Sequence, residues 1–302
     1  MLKTRDLLIE IGTEELPPKS LKSLATAFSE QMCLALNEVE LDFNDTSWYA
    51  TPRRLSLLIT DLDITQKDKE HQRRGPSLSV AFDKNENPTQ ATVGFAKSCG
   101  VEVKELEKLE SGKGAWLVFN TILKGKKTNE IIPGLVEKSL ERLPIAKRMR
   151  WGNYNIEFVR PIKWILILFG NKTLNCEILG IKSVATSFGH RYHHPDALEI
   201  KSPSEYSNIL RKKGHVIVDY NERLSLIRSQ ISSIAKNSKG NAIIDPGLLD
   251  EVTSLVEWPV SFIGNFDPEF LKLPKEVLIA TMQDNQKYFP VTNEKKELMP
   301  LF

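Results

Sequence analysis

The sequence is poor in cysteine and contains no long apolar run. Its three cysteines, Cys33, Cys99 and Cys176, lie far apart and form no CxxC pair. Such a scattered, odd-numbered set predicts no disulfide framework and favours a reducing compartment. The longest apolar stretch, Trp164 to Phe169, is far shorter than the ~20 residues of a membrane-spanning helix. Because the N-terminal stretch is also too charged for a signal peptide, we expect a cytoplasmic protein with no membrane partner.

The usual catalytic signatures are missing as well. The sequence contains no GxxxxGK[ST] phosphate loop, no GxGxxG that opens a helix after a strand, no GxSxG elbow and no HExxH pair. No signature of ATP binding is evident. We therefore predict no catalytic residue, no metal ligand and no cofactor on this chain.

The charges are dense but balanced, with 41 Lys+Arg against 39 Asp+Glu and a net charge of +2. A nucleic-acid-binding protein that relies on its overall charge would be strongly basic. Any RNA contact must therefore come from local groups of basic residues.

Hydrophobic periodicity predicts strands and helices in irregular alternation. We expect strands at 7–12, 54–62, 116–123, 163–169, 174–181 and 215–218, a loop at 66–76, helices at 21–36, 128–143 and 202–213, and later helices that begin at Asp219, Asp245 and Pro274. This order predicts an α+β fold of mixed sheets with packed helices. We place an N-terminal α+β domain at 1–145 and a second α+β domain at 146–302, because the segment LPIAKRMRWGNYN mixes proline, glycine and clustered charge.

Groups of basic residues are the candidate RNA contacts, and two of these groups have an aromatic neighbour, Trp151 beside Arg150 and Tyr192 beside Arg191. Arginine forks match phosphate geometry, and aromatic rings stack on unpaired bases. The candidates for tRNA binding are Arg53, Arg54, Arg73, Arg74, Lys147, Arg148, Arg150, Trp151, His190 and Arg191. A run of charged residues is more commonly a solvated surface. That is the alternative interpretation of each candidate.

Two further groups of side chains, one of histidines and one of glutamates, each allow a catalytic or metal-binding interpretation and a structural one. His190, His193 and His194 could bind a metal, but adjacent histidines point in different directions, so a structural or RNA-facing loop is favoured. Glu14 and Glu15 could form an acid–base pair, but acids at the start of a helix are a simpler interpretation.

Several long, irregular strings together resemble the β subunit of bacterial-type glycyl-tRNA synthetase. They include LLIEIGTEELPPKSL, ATPRRLSL, FAKSCGV, LPIAKRMRWG, FVRPIKWI, LRKKGHVIVDYNER and LPKEVLIATMQDNQKYFPV, in this order between residues 7 and 290. Strings of this length are poorly explained by chance.

The resemblance implies an α2β2 assembly in which the α subunit carries the active site, with ATP and magnesium, and β contributes recognition of tRNA(Gly). It implies that β continues into an HD-type and an anticodon-binding domain, so we expect this chain to be truncated before them. The second domain is also loosely similar to the editing-type module of phenylalanyl-tRNA synthetase. The alternatives are a generic RNA-binding scaffold and an editing-type hydrolase. Editing is disfavoured because a tight glycine pocket already excludes larger side chains.

Overall fold

The computed structural model describes residues 3–112, 114–152 and 155–302, so Asn153 and Tyr154 of the predicted connector lie outside the described residues. The strands are β1 Thr4–Thr13, β2 Asp45–Thr51, β3 Arg54–Asp63, β4 Lys69–Ser77, β5 Glu107–Ser111, β6 Gly114–Leu123, β7 Met149–Arg150, β8 Glu157–Phe158, β9 Ile162–Phe169, β10 Lys172–Thr173, β11 Glu177–Ile178, β12 Ile181–Val184, β13 Thr186–Phe188, β14 Ala197–Glu199, β15 Asn241–Ala242 and β16 Val291–Thr292. The α-helices are α1 Pro18–Glu38, α2 Leu78–Ala81, α3 Gln90–Cys99, α4 Thr128–Glu141, α5 Tyr206–Lys212, α6 Tyr220–Asn237, α7 Pro246–Leu255 and α8 Lys275–Ala280.

Contacts divide the chain into two compact units. The larger unit comprises residues 1–64 and 129–302, and the smaller unit comprises Thr65–Thr128. This division differs from the predicted boundary at 145 and 146. Strand β1 pairs with β9 in one sheet, so a cut at that boundary would separate hydrogen-bonded neighbours. Composition along the chain reveals connectors, but it does not reveal which distant strands pair.

The larger unit is built on a mixed sheet with the strand order β11-β12-β9-β1-β3-β2, and β10 also pairs with β9. Strand β1 lies between β3 and β9 and is antiparallel to both. Strand β12 runs parallel to β9. The central position of β1 explains its nearly continuous apolar sequence, because both of its faces are covered.

Helices α1 and α4 cover one face of this sheet. Leu7, Ile9 and Ile11 of β1 pack there against the apolar stripe of α1, which includes Leu24 and Phe28. Each fully buried leucine of this kind contributes roughly 1.5–3 kcal/mol to folding. The helix predicted at 21–36 is therefore confirmed.

The opposite face carries a second core. Leu8 of β1 and Leu166 of β9 pack there against Tyr206 and Leu210 of α5 and against Val216. The same face of β1 carries Glu10, a charged residue between two covered layers. This buried acid is the starting point of the candidate site.

The smaller unit contains a three-stranded antiparallel sheet with the order β4-β6-β5, together with α2 and α3. The predicted loop at 66–76 is wrong, because most of it forms β4. An edge strand with an exposed face needs few apolar residues, so its sequence resembles a loop.

The predicted helix caps are confirmed. Asp219 accepts the backbone N–H of Glu222 at 2.9 Å, and Asp245 accepts that of Leu248 at 2.8 Å. The predicted strand at 215–218 is wrong, since no ladder forms there. Val218 instead accepts one hydrogen bond from Ala50, and Ile217 donates one to Glu257. The α+β class itself is confirmed.

Candidate functional site

A fully buried arginine joins two acids from distant parts of the chain. Arg54, the first residue of β3, lies 3.8 Å from Glu10 of β1 and 3.3 Å from Glu257, which follows α7. The Oγ1 of Thr51 donates to the same Glu257 oxygen at 2.7 Å. Burial by itself lowers the pKa of Arg54, but the two carboxylates outweigh burial and raise it. The guanidinium is therefore held charged inside the larger unit.

Hydrogen bonds complete the surroundings of Glu10. Its carboxylate accepts from Ser187 Oγ at 2.6 Å and also from Trp164 Nε1 and Tyr206 OH. Burial, reinforced by the Glu10 carboxylate, raises the pKa of Tyr206 well above its ordinary value, so Tyr206 remains a neutral donor. These donors satisfy the hydrogen-bonding capacity of a carboxylate that is removed from water.

Arg223 of α6 is a second buried arginine, and it binds backbone carbonyls. It donates to Ile217 at 2.6 Å, Ala50 at 2.7 Å and Thr253 at 3.1 Å. Burial lowers its pKa to about 10, while Glu257 counteracts part of that shift. Arg223 thereby ties α6, α7 and the end of β2 together next to the Arg54 network.

A more exposed charged surface adjoins the buried network where β1 ends. Arg191 pairs with Glu14 at 2.9 Å and with Glu15 at 3.2 Å, and Lys163 pairs with Glu14 at 2.9 Å. The hydrogen bond from Lys163 is the main reason that the pKa of Glu14 is lowered. The interpretation of Glu14 and Glu15 as helix-start acids is wrong, because the first turn of α1 contains no acid.

The predicted histidine cluster lies beside this surface. His190 is 4.5 Å from His193 between ring centroids, and His193 is 5.8 Å from His215, which contacts Trp258 at 5.3 Å. Burial lowers the pKa of His190, and the charges of His193 and Arg53 lower it further. Within the described residues, no group of three or more His, Cys, Asp or Glu side chains could hold a metal ion.

The predicted connector residues lie apart, on an exposed segment. Arg148 donates to the carbonyl of Glu141 at 2.7 Å, and Arg150 lies 3.7 Å from the Glu157 carboxylate. Lys147 is exposed, whereas Trp151 is half-buried and packs against the main core. The stacking role expected of Trp151 is thus limited by its packing.

Arg73 and Arg74 lie in the smaller unit. The guanidinium carbon of Arg74 lies 3.5 Å from the centroid of the Trp116 ring, and that of Arg73 lies 5.9 Å from the Phe95 ring. Arg73 also donates to the carbonyl of Ser98 at 2.8 Å. Within that unit, two arginines are therefore each paired with an aromatic ring.

The family model described as "Glycyl-tRNA synthetase beta subunit" matches residues 7–302. The chain belongs to this family. The resemblance inferred from the sequence strings is therefore confirmed.

Curated relatives agree with that membership. "Glycine--tRNA ligase beta subunit" of Hahella chejuensis is 49% identical over 99% of this chain and 43% of the relative. The proteins with the same name from Marinobacter nauticus and Azotobacter vinelandii are each 45% identical over 100% of this chain, which covers 44% and 43% of their lengths. The chain thus spans less than half the length of these β subunits.

Membership of the glycyl-tRNA synthetase β family does not itself assign the candidate residues. Structure brings Arg53, Arg54, His190 and Arg191 together at one end of β1, while Lys147, Arg148, Arg150 and Trp151 form a separate segment. Arg54 is completely buried, which argues against a direct contact with RNA. A membrane-spanning helix is not found in the described part of the chain.

Sequence reasoning missed the acidic half of this site. Glu10 and Glu257 were not selected, nor were Arg223 and Lys163. Glu10 did carry a signal, because it interrupts the apolar string LLIEIG in a predicted buried strand. Glu257 carried no comparable signal, since its partner Arg54 is distant in sequence.

Proposed function

We propose that this chain acts as part of the β subunit of a glycine–tRNA ligase and supports ATP-dependent attachment of glycine to tRNA(Gly). The observation that carries the proposal is the continuous family match over residues 7–302, together with the names of the relatives. In this role the chain binds tRNA and assembles with a catalytic α subunit, and it is inactive alone.

The proposed division of labour rests on the family resemblance, which implies that ATP and its magnesium ion bind to the α subunit. The lack of an ATP-binding signature in this sequence agrees with that assignment. The phrase "beta subunit" in the relatives' names supports a partner chain. The α2β2 stoichiometry is the form that the family resemblance implies.

The distribution of charge supports RNA contact by the smaller unit. Residues 65–128 contain 12 lysines and arginines against eight aspartates and glutamates, whereas the other unit contains 29 against 31. The overall balance therefore conceals a basic unit of positive net charge. Phosphate attraction depends on such a local excess.

Arg74 and Trp116 together form a surface on which RNA bases can stack. A guanidinium stacked on an indole presents a flat, cationic surface, and unpaired bases stack on both kinds of group. Arg74 is exposed, and Trp116 is half-buried. We propose Arg73 and Arg74 as tRNA contacts on this basis.

In the larger unit, we propose Lys147, Arg148, Arg150 and Arg191 as backbone-phosphate contacts, with Arg53 and His190 beside Arg191. Arg148 and Arg150 remain exposed although each has a partner within the chain. The ion pair between Arg150 and Glu157 is exposed, and such pairs are weak, about 0–1 kcal/mol, so a phosphate can replace the Glu157 carboxylate at small cost.

The loose similarity of residues 146–302 to the editing-type module of phenylalanyl-tRNA synthetase stays a prediction. A mixed sheet with packed helices is compatible with it. No observation on the described residues favours hydrolysis, and the steric argument against a need for editing still applies.

Attachment of labelled glycine to tRNA(Gly) tests the proposal. The assay compares the matching α subunit alone, this chain alone, and both together, with a full-length β subunit of the family as positive control. We expect full-length β with α to charge tRNA and this chain alone to give no product. Product from this chain alone would contradict the assigned division of labour.

A further inference from the structure

Arg53 carries a half-buried guanidinium that the described residues leave without a partner. It occupies the turn between β2 and β3, where its N–H donates to Thr51 Oγ1 at 3.3 Å and its carbonyl accepts from Thr13 at 2.8 Å. The backbone is thus fixed, but the buried side-chain Nε donates to no acceptor. A buried donor without a partner is costly unless a ligand or water satisfies it.

The neighbouring acids are already engaged by other cations. Glu14 and Glu15 pair with Arg191, and Glu257 pairs with Arg54. In the described part of the chain, no carboxylate lies within ion-pair distance of Arg53. Burial lowers the pKa of Arg53, and the like charges of Arg191 and Arg54 lower it further, against the attraction of Glu257. The structure therefore leaves one cationic fork free to accept an anion.

The imidazole of His190, close to the Arg53 guanidinium, is held in an orientation that makes its Nε2–H a hydrogen-bond donor. Its Nδ1 accepts the backbone N–H of Tyr192 at 3.2 Å and that of His193 at 3.3 Å. A ring nitrogen that accepts hydrogen bonds carries no proton, so the proton of neutral His190 lies on Nε2. The backbone N–H of His190 donates to the carbonyl of Gly214 at 2.7 Å, which holds the loop in place. His190 thus presents one N–H donor in a fixed orientation.

His215 supplies a second nitrogen without a partner. It directly follows Gly214, and its Nδ1 is buried and makes no hydrogen bond. The ring of His193 lies between the two histidines, because its centroid is 4.5 Å from that of His190 and 5.8 Å from that of His215.

Arg53 approaches the same loop from the other side. Its guanidinium lies on the Trp164 ring, and that ring is 4.9 Å from the ring of Phe188, which is close to His190 in sequence. The unsatisfied atoms of Arg53 and His215 therefore lie close to one fixed imidazole.

We propose that Arg53, His190 and His215 form a binding site for a phosphate oxyanion. The guanidinium supplies charge and a planar fork that matches two phosphate oxygens, and the imidazoles supply further donors. The guanidinium carbon of Arg53 lies 5.8 Å from the centroid of the Trp164 ring, which therefore packs on one side of the proposed site. The ligand is a phosphate group from an RNA backbone or a free phosphate ester. The site rests on the tRNA contacts proposed above for Arg53 and His190, but its affinity for phosphate is measured without tRNA or glycine attachment.

Titration of the whole chain with inorganic phosphate at constant ionic strength tests this site. The readout is the set of NMR signals from arginine Nε–H groups and histidine rings. We expect saturable shifts of Arg53, His190 and His215. In Arg53→Gln the affinity should fall by about tenfold or more, because a charge-assisted pair is lost. Arg53→Lys retains the positive charge but not the planar guanidinium. Its affinity for phosphate should lie between that of wild type and that of Arg53→Gln.

Arg228→Gln is the matched control, because it removes one exposed positive charge from α6 of the same unit and should leave the affinity unchanged. Competition with tRNA then separates the sources. Displacement of phosphate by tRNA identifies an RNA phosphate as the ligand, and retention of phosphate identifies a free phosphate ester. Shifts that do not saturate, or equal affinity in wild type, Arg53→Gln and Arg228→Gln, would overturn the proposal.

Discussion

The Nη2 atom of Arg54 lies 3.3 Å from Oε1 of Glu257, and this contact joins the start of β3 to the segment that follows α7. Both side chains are almost wholly removed from water. A buried ion pair stabilises the folded state little more than an apolar pair of the same size. Removal of one partner is strongly destabilising, because the other charge then remains buried without a counter-charge.

We therefore predict that Glu257→Gln or Arg54→Met lowers the free energy of unfolding by about 3–5 kcal/mol. Urea unfolding followed by circular dichroism measures the change. The matched control is the exposed pair Arg150 and Glu157, where Glu157→Gln should cost about 0–1 kcal/mol. Equal losses at the two sites would show that burial of the Arg54 pair has no special weight.

The double substitution Arg148→Ala and Arg150→Ala should weaken tRNA binding and flatten its dependence on salt. Each lost phosphate contact lowers the slope of log K against log salt by roughly 0.7–0.9, because fewer counterions are released. Binding isotherms at several salt concentrations give the slope. An unchanged slope would remove these two residues from the interface. Arg228→Ala, which removes one exposed positive charge from α6 of the same unit, is the control and should leave the slope unchanged.

Trp116→Ala should weaken binding of tRNA chiefly through loss of stacking. Removal of an aromatic platform costs about 1–3 kcal/mol per stacked base, and the loss is largely independent of salt. Arg74→Ala should show both a weaker affinity and a smaller salt slope, because it removes the charge as well. If neither variant changes affinity while both remain folded, the smaller unit does not contact RNA through this pair.

The pH dependence of stability should report the Glu14 ion pairs. The pKa of Glu14 is lowered below its ordinary value of 4.5, so the folded state binds this proton less readily than the unfolded state. Its contribution is therefore complete above about pH 4.5 and is lost as the pH falls through the lowered value.

Melting temperatures of wild type and Glu14→Gln across this range measure that contribution. We expect a difference at pH 7 that disappears below the lowered pKa. Lys163→Gln provides a second route, since it removes the hydrogen bond that contributes most to the shift. A difference that persists unchanged at low pH would mean that the carboxylate charge of Glu14 is not the cause.

Local sequence determined the helices and strands whose buried residues recur at a regular spacing or form a short apolar run. The stripe of α1, the caps at Asp219 and Asp245, and the strands β1, β3, β6 and β9 were all predictable, because periodicity and capping act within a few residues. The edge strand β4 was not predictable, because an exposed strand needs little apolar sequence. The long motif strings also determined family membership without any knowledge of the fold.

Tertiary structure alone decided which charges meet. The sequence marked Arg53 and Arg54 as equivalent members of a basic pair, yet Arg54 is buried between Glu10 and Glu257 while Arg53 retains a buried, unpartnered Nε. Adjacent residues at the start of a strand point to different sides, and their partners come from segments far along the chain. Burial and pairing are properties of that long-range arrangement, so charge type and spacing could not distinguish the structural arginine from the one free to bind.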